Sequence, residues 1–107
     1  MNSYYKTVEG TGAALNVELG MVPDFVKITN IETDKMDMVE ILTDTDGAIT
    51  SAILTTASTG VRTSDVANYS LYVGSTSAAK GITLGASAGV NVSSDTLWIE
   101  YGTYPNV

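Results

Sequence analysis

Carboxylates and aromatic rings are the chemically active side chains of this 107-residue sequence, because it contains no His and no Cys. His is the usual general base near neutral pH and the commonest metal ligand. Cys supplies thiolate nucleophiles, soft-metal ligands and disulfides. Without them a Ser-His-Asp or Cys-His arrangement cannot be assembled, nor can an ordinary zinc site. Carboxylate-only chemistry such as glycoside hydrolysis remains open, but a chain this short seldom houses a deep cleft for it. The expectation is a protein that is not an enzyme and holds no cofactor.

Six of the twelve acids, Glu32, Asp34, Asp37, Glu40, Asp44 and Asp46, fall in the fifteen residues from 32 to 46. The simplest reading is a solvated, solubilising region. A sharper one is an electrostatic docking face for a basic partner, or a divalent-cation site. Asp44-Thr45-Asp46-Gly47 begins like a calcium loop, in which carboxylates and a Gly turn suit Ca²⁺. An EF-hand loop needs Glu at its twelfth position, which counted from Asp44 is Thr55. The match fails, and Asp-Gly is equally a hairpin turn whose residues tolerate positive φ.

The aromatics are six Tyr, one Trp and one Phe. Tyr4 and Tyr5 lie near the N-terminus, Trp98, Tyr101 and Tyr104 near the C-terminus. One reading is that these rings cap the ends of the fold. Another is that Tyr4, Tyr5, Trp98 or Tyr104 anchors a contact with a second chain, since aromatics dominate interface hot spots. A third is sugar stacking, for which no spacing singles out a platform.

Twelve acids against five bases give a formal charge of −7. The five cations Lys6, Lys27, Lys35, Arg62 and Lys80 are scattered, whereas a nucleic-acid surface needs them clustered. The uncharged runs are rich in Ser, Thr, Ala and Gly, and none approaches a membrane-spanning helix of roughly 20 apolar residues. Met1-Asn2-Ser3-Tyr4-Tyr5-Lys6 has no apolar signal core, so a cytosolic product with nothing removed is expected. Nucleic acid and membrane are therefore not expected partners. The length fits one domain. With no disulfide, stability must come from the core, a partner or an oligomer.

The elements that position these side chains read as strands. Ten Ser, fifteen Thr and ten Gly, together with abundant Val, Ile and Tyr, favour pleated half-buried surfaces. In Ala13–Leu19, the residues Ala13, Leu15, Val17 and Leu19 share one face while Asn16 and Glu18 point away. Similar alternation runs through 25–31, 39–43, 66–74 and 97–101, and 48–56 is apolar on both faces. The stretch 34–42 permits a turn of helix but reads better as a loop entering a strand. Gly81, Gly85 and Gly89 alternate with β-formers and mark bends or close strand approaches. The pattern predicts an all-β domain, an antiparallel sandwich or small barrel of about seven or eight short strands over residues 11–107. Residues 1–10 precede it as a candidate assembly arm. Lys is sparse for the protection of strand edges, which suggests that neighbouring subunits cover some of them.

Two stretches carry a family resemblance. Val17-Glu18-Leu19-Gly20-Met21-Val22-Pro23-Asp24-Phe25-Val26-Lys27-Ile28-Thr29-Asn30 has a hydrophobic strand, Gly-x-x-Pro-x-x-Val, and a strand ending in Asn. Gly81-Ile82-Thr83-Leu84-Gly85 is followed by Val90-Asn91-Val92-Ser93-Ser94-Asp95-Thr96-Leu97-Trp98-Ile99, an Asn-Val-Ser turn and a Thr-aromatic strand. Both resemble segments of small virion proteins of tailed bacteriophages; residues 32–80 lie outside the resemblance. It implies a head decoration (cement) protein made in the bacterial host cytoplasm. Such a protein binds the major capsid protein on the virion surface, often as a homotrimer. A tail or head–tail connector component is the nearer alternative. A carbohydrate- or cell-surface-binding β-sandwich and an adhesin-like secreted domain are the more distant ones.

Overall fold

The computed structural model describes residues 2–32, 36–44, 48–74, 76 and 80–104. Nine strands occur among them: β1 (Asn2–Glu9), β2 (Leu15–Glu18), β3 (Phe25–Asn30), β4 (Met38–Thr43), β5 (Ile49–Thr55), β6 (Arg62–Ser64), β7 (Tyr69–Val73), β8 (Lys80–Leu84) and β9 (Thr96–Thr103). They form a six-stranded sheet, ordered β1-β9-β3-β4-β5-β6, and a three-stranded sheet, ordered β2-β8-β7. Every pairing is antiparallel. The protein is therefore an all-β sandwich, as its alternation predicts. No helix among the described residues is long and apolar enough to cross a membrane.

Period-2 alternation decides which residues meet between the sheets. Val26 and Ile28 of β3, Val39 and Ile41 of β4, Ala52 of β5, and Leu97 and Ile99 of β9 face inward and are buried. Val17 of β2, Tyr69 of β7, and Ile82 and Leu84 of β8 meet them from the smaller sheet, joined by Leu19, Ala88 and Val90 from the connections. Gly81 lets β2 cross β8 closely, because a Cβ there would lie 2.0 Å from the Val17 carbonyl oxygen. This is the close approach that the glycine spacing implied.

Two strands lie outside the sequence expectation. Residues 2–9, expected as a segment ahead of the domain, form β1 and pair with β9 along their whole length. Their inward row is Tyr4, Lys6 and Val8, and the cation at its centre hides the alternation. Lys6 is kept there because its Nζ donates to the Glu18 carbonyl at 2.7 Å, tying the two sheets. β6 carries only exposed residues and exists through its ladder to β5. Conversely, Val66–Asn68, expected to open a strand, is one turn of 3₁₀ helix. The Asn68 amide donates to the Asp65 carboxylate at 2.5 Å, and the Asn68 N–H to the Asp65 carbonyl at 3.0 Å. Such short side-chain bonds compete with the extended ladder.

Two buried amides hold the end of the sandwich where β9 begins. Asn91 donates to the carbonyls of Ala13 (2.7 Å) and Gly85 (3.1 Å) and accepts from the N–H groups of Thr11 (2.9 Å) and Gly12 (3.3 Å). Asn30 donates to Asp95 Oδ2 at 2.9 Å and accepts from the Glu32 N–H at 3.1 Å. Glu32 in turn accepts from the Thr96 N–H at 3.1 Å, which ties the exit of β3 to the start of β9. Asn91→Ala orphans two donors and two acceptors at once, and a loss of about 2–3 kcal/mol is expected. Asn91→Asp keeps the acceptors but loses both donated bonds and should cost at least as much. Urea unfolding of the two variants checks both values.

Tyr69 is buried, and its hydroxyl has no hydrogen-bond partner among the described residues. Burial first, and then the nearby Asp65 carboxylate, hold the phenol well above the ordinary tyrosine range. A folded-state pKa raised above the unfolded value of 10.0 means that the stabilisation is fully present below pH 10. Above it, the unfolded phenol ionises while the folded one does not, and stability falls by up to about 1.4 kcal/mol per pH unit. Tyr69→Phe should match or exceed the wild type at neutral pH, because it removes an unpartnered hydroxyl. It should also remove this residue's share of the alkaline decline; chemical denaturation between pH 7 and 11 tests both.

Candidate functional site

The outer face of the six-stranded sheet is assembled by register. β9 must turn Trp98 and Glu100 outward because Leu97 and Ile99 are in the core. β3 likewise turns out Phe25 and Lys27, and β4 turns out Glu40 and Leu42. The ladder then sets Tyr5 opposite Glu100, Glu100 opposite Lys27, and Lys27 opposite Glu40 in one row across four strands.

Aromatic rings flank this charged row. Tyr5 stacks on Trp98 with ring centroids 5.3 Å apart and planes 14° from parallel. The Tyr5 hydroxyl donates to Glu100 Oε2 at 3.3 Å. Tyr104 stacks on Phe25 at 5.6 Å, its backbone held by a 2.8 Å bond from its N–H to Asp24 Oδ2. Between Tyr104, Phe25 and Leu42 lies an open groove of about 240 Å³, with Lys27, Glu40 and Glu100 in its lining. The solvated face of an antiparallel sheet is ordinarily polar. Here Tyr5 (57 %), Trp98 (42 %), Leu42 (44 %) and Tyr104 (47 %) all keep large fractions of their surface in water. Exposed rings clustered on one sheet face make it the candidate contact surface of the molecule.

Of the four rings singled out as candidate contact residues, Tyr5, Trp98 and Tyr104 therefore share one face. Tyr4 does not. It lies on the inward row of β1 and pairs with Tyr101 at 5.6 Å, at the open end of the sandwich. Phe25 and Leu42 belong to the surface although their alternation alone did not single them out. Their signal was that each shares a strand face with a charged residue, Lys27 and Glu40, and so must be turned to water.

The acidic stretch 32–46 divides by role. Glu32 is bonded to Thr96 as described, and Asp37 accepts from the Ala57 N–H at 3.0 Å. Asp44 accepts from the Ala48 N–H at 3.0 Å and donates its own N–H to the Ala48 carbonyl at 2.8 Å, closing the β4–β5 connection. Glu40 belongs to the outer face. Asp34 and the remainder of the candidate calcium loop, 45–47, lie outside the described residues. Among the described residues no three acidic side chains converge on a common point that would hold a metal ion.

The chain matches no protein-family model, no curated protein and no solved structure.

The exposed outer rings should contribute less to folding than the buried residues of β9. A double-mutant cycle on Tyr5→Ala and Trp98→Ala should give a coupling of about 0.5–1.5 kcal/mol, the range for stacked rings. Ile99→Ala, one residue along β9, should cost about 2–5 kcal/mol through the cavity it leaves. Urea unfolding of the five chains, wild type included, measures both, and an outer-face loss as large as that at Ile99 would make the rings structural.

Proposed function

We propose that this chain is a structural virion protein that binds the outside of a tailed-bacteriophage capsid and stabilises the shell without catalysis. The observation that carries the reading is the aromatic outer face of the six-stranded sheet, where the Tyr5–Trp98 stack lies on one side and Phe25, Tyr104 and Leu42 edge an open groove on the other. Rigid rings held on a sheet face present large contact area at small entropic cost, which suits a repeated protein lattice.

Two further features support it. The stretches that resemble phage virion proteins are neighbours in the fold, since β2 pairs with β8 and β3 pairs with β9. They form one folded unit, and the second stretch carries Trp98 onto the outer face. The net charge of −7 disfavours nucleic acid as the partner. On this reading the partner is the major capsid protein, the place is the virion surface, and copies of the chain associate on the shell. The resemblance implies a trimer for that association.

Purified chain mixed with expanded capsid shells of the phage that carries its gene should co-sediment through a sucrose gradient at a fixed stoichiometry. Shells carrying it should resist urea better than bare ones. Trp98→Ala combined with Tyr104→Ala should weaken binding by at least about tenfold, the cost of losing hot-spot rings. Absence of co-sedimentation would overturn the decoration reading, and binding to isolated tails in its place would move the protein to the tail or connector.

One observation favours a second reading. The Phe25–Tyr104 pair edges a groove holding Lys27, Glu40 and Glu100, a combination of flat rings and hydrogen-bonding groups that also suits a sugar. A glycan-array ligand of low-micromolar affinity, lost in Tyr104→Ala, would favour this carbohydrate-binding module over the virion role.

A further inference from the structure

The two sheets end in four edge strands: β1, β6, β2 and β7. β6, β2 and β7 have three, four and five residues. β1 has eight and keeps an unbroken register with β9 from Asn2 opposite Thr103 to Glu9 opposite Thr96. Natural edges are blunted by bulges, Pro, short length or outward Lys. β1 contains no Pro, and its pairing with β9 shows no bulge. Its one cation, Lys6, is drawn inward onto the Glu18 carbonyl.

The neighbouring bonds show which backbone groups of β1 are open. The Ile31 N–H donates to the Thr96 carbonyl at 3.1 Å, so even-numbered residues of β9 address β3 and odd-numbered ones address β1. Their partners on β1 are Tyr4, Lys6 and Val8. The 2.8 Å bond from the Gly10 N–H to the Asp95 carbonyl continues the same pattern. Ser3, Tyr5, Thr7 and Glu9 therefore direct their N–H and C=O groups to the open side.

We propose that β1 pairs antiparallel with β1 of a second copy of this chain, about a two-fold axis at Tyr5. A continuous sheet needs opposed residues on the same face, so the axis passes through a residue and not between two. An axis at Lys6 would set two ammonium groups directly opposite, a repulsive pair. Axes at Tyr4 or Thr7 shorten the ladder. An axis at Tyr5 aligns residues 2–8 with Ser3 opposite Thr7, Tyr4 opposite Lys6, and no like charges opposed. Narrow pairs at Ser3–Thr7, Tyr5–Tyr5 and Thr7–Ser3 then supply about six inter-chain hydrogen bonds. The two Tyr5–Trp98 stacks meet across the axis on the outer face, covering part of the Tyr5 ring now in water. Among the described residues the longest edge strand then left free is β7, with five residues, which favours closure at two copies. The pairing goes beyond the virion role and stands without it, and it gives two-fold association where the resemblance implied a trimer.

Sedimentation equilibrium from micromolar to several hundred micromolar should show a reversible monomer–dimer equilibrium. Thr7→Pro removes an N–H only from the open side, where Pro is tolerated in an edge strand. It should weaken dimerisation at least about tenfold while circular dichroism melting stays near the wild-type value. Tyr5→Lys should weaken it comparably by opposing two cations across the axis. Tyr5→Cys, the sole thiol of its chain, should crosslink two copies through a short bismaleimide. A chain that stays monomeric throughout, that forms trimers, or whose dimer is indifferent to both Thr7→Pro and Tyr5→Lys overturns the proposal. Shell co-sedimentation is read separately, so loss of one result leaves the other standing.

Discussion

The alternation of β9 is the constraint on which the rest of the structure depends. It pairs with β1 on one side and β3 on the other along almost its full length. Leu97 and Ile99 are fully buried, so Trp98 and Glu100 have nowhere to go but the outer face. A slip of one residue would exchange the two rows and drive a carboxylate into the core. The same strand therefore fixes the hydrophobic core and the candidate surface together. Its neighbours inherit the register: Tyr5 reaches Trp98, and Lys27 reaches Glu100, only because β1 and β3 are locked to β9.

Polar side chains hold what alternation cannot. The sandwich has long connections at one end, where backbone groups would otherwise be buried without partners. Asn91 satisfies four of them and joins the segment after β1 to the segment after β8. Asn30, Asp95 and Glu32 do the same between β3 and β9. These groups determine where β9 begins, and through it how Trp98 is presented. A chain without cysteine thus fixes these connections by amide and carboxylate bonds.

Strands with a clean alternation were legible in the sequence. Leu15-Asn16-Val17-Glu18, Val26-Lys27-Ile28 and Leu97-Trp98-Ile99-Glu100 announce both their conformation and their buried row. β1 was not legible because Lys6 occupies the inward row, and only the Glu18 carbonyl across the sandwich makes that position tolerable. β6 was not legible because a three-residue exposed strand depends on its partner and not on its own pattern. The 3₁₀ turn at Val66 was hidden by apolar residues that suit a strand until Asp65 and Asn68 bond to each other. Three of the candidate rings could be named from their type and terminal position. Their convergence on one face could not, since it requires the strand order β1-β9-β3. Tyr4 fell on the opposite face by the same parity that put Tyr5 on the outer one.

The outer face and the free edge of β1 are not independent surfaces, because Tyr5 belongs to both. Its side chain forms the rim of the aromatic strip, and its backbone N–H and C=O face the unpaired side of the sheet. The two-fold pairing proposed for β1 would join two strips into one, with the groove beside Tyr104 repeated on either side of the axis. A ligand lattice with matching spacing would then be held at two points, and the second contact would cost far less entropy than the first. The groove alone is shallow and open, and a single one gives a modest contact. On the proposed pairing, sharing Tyr5 between edge and face would let a chain of 107 residues present a larger aromatic surface than its small fold offers alone.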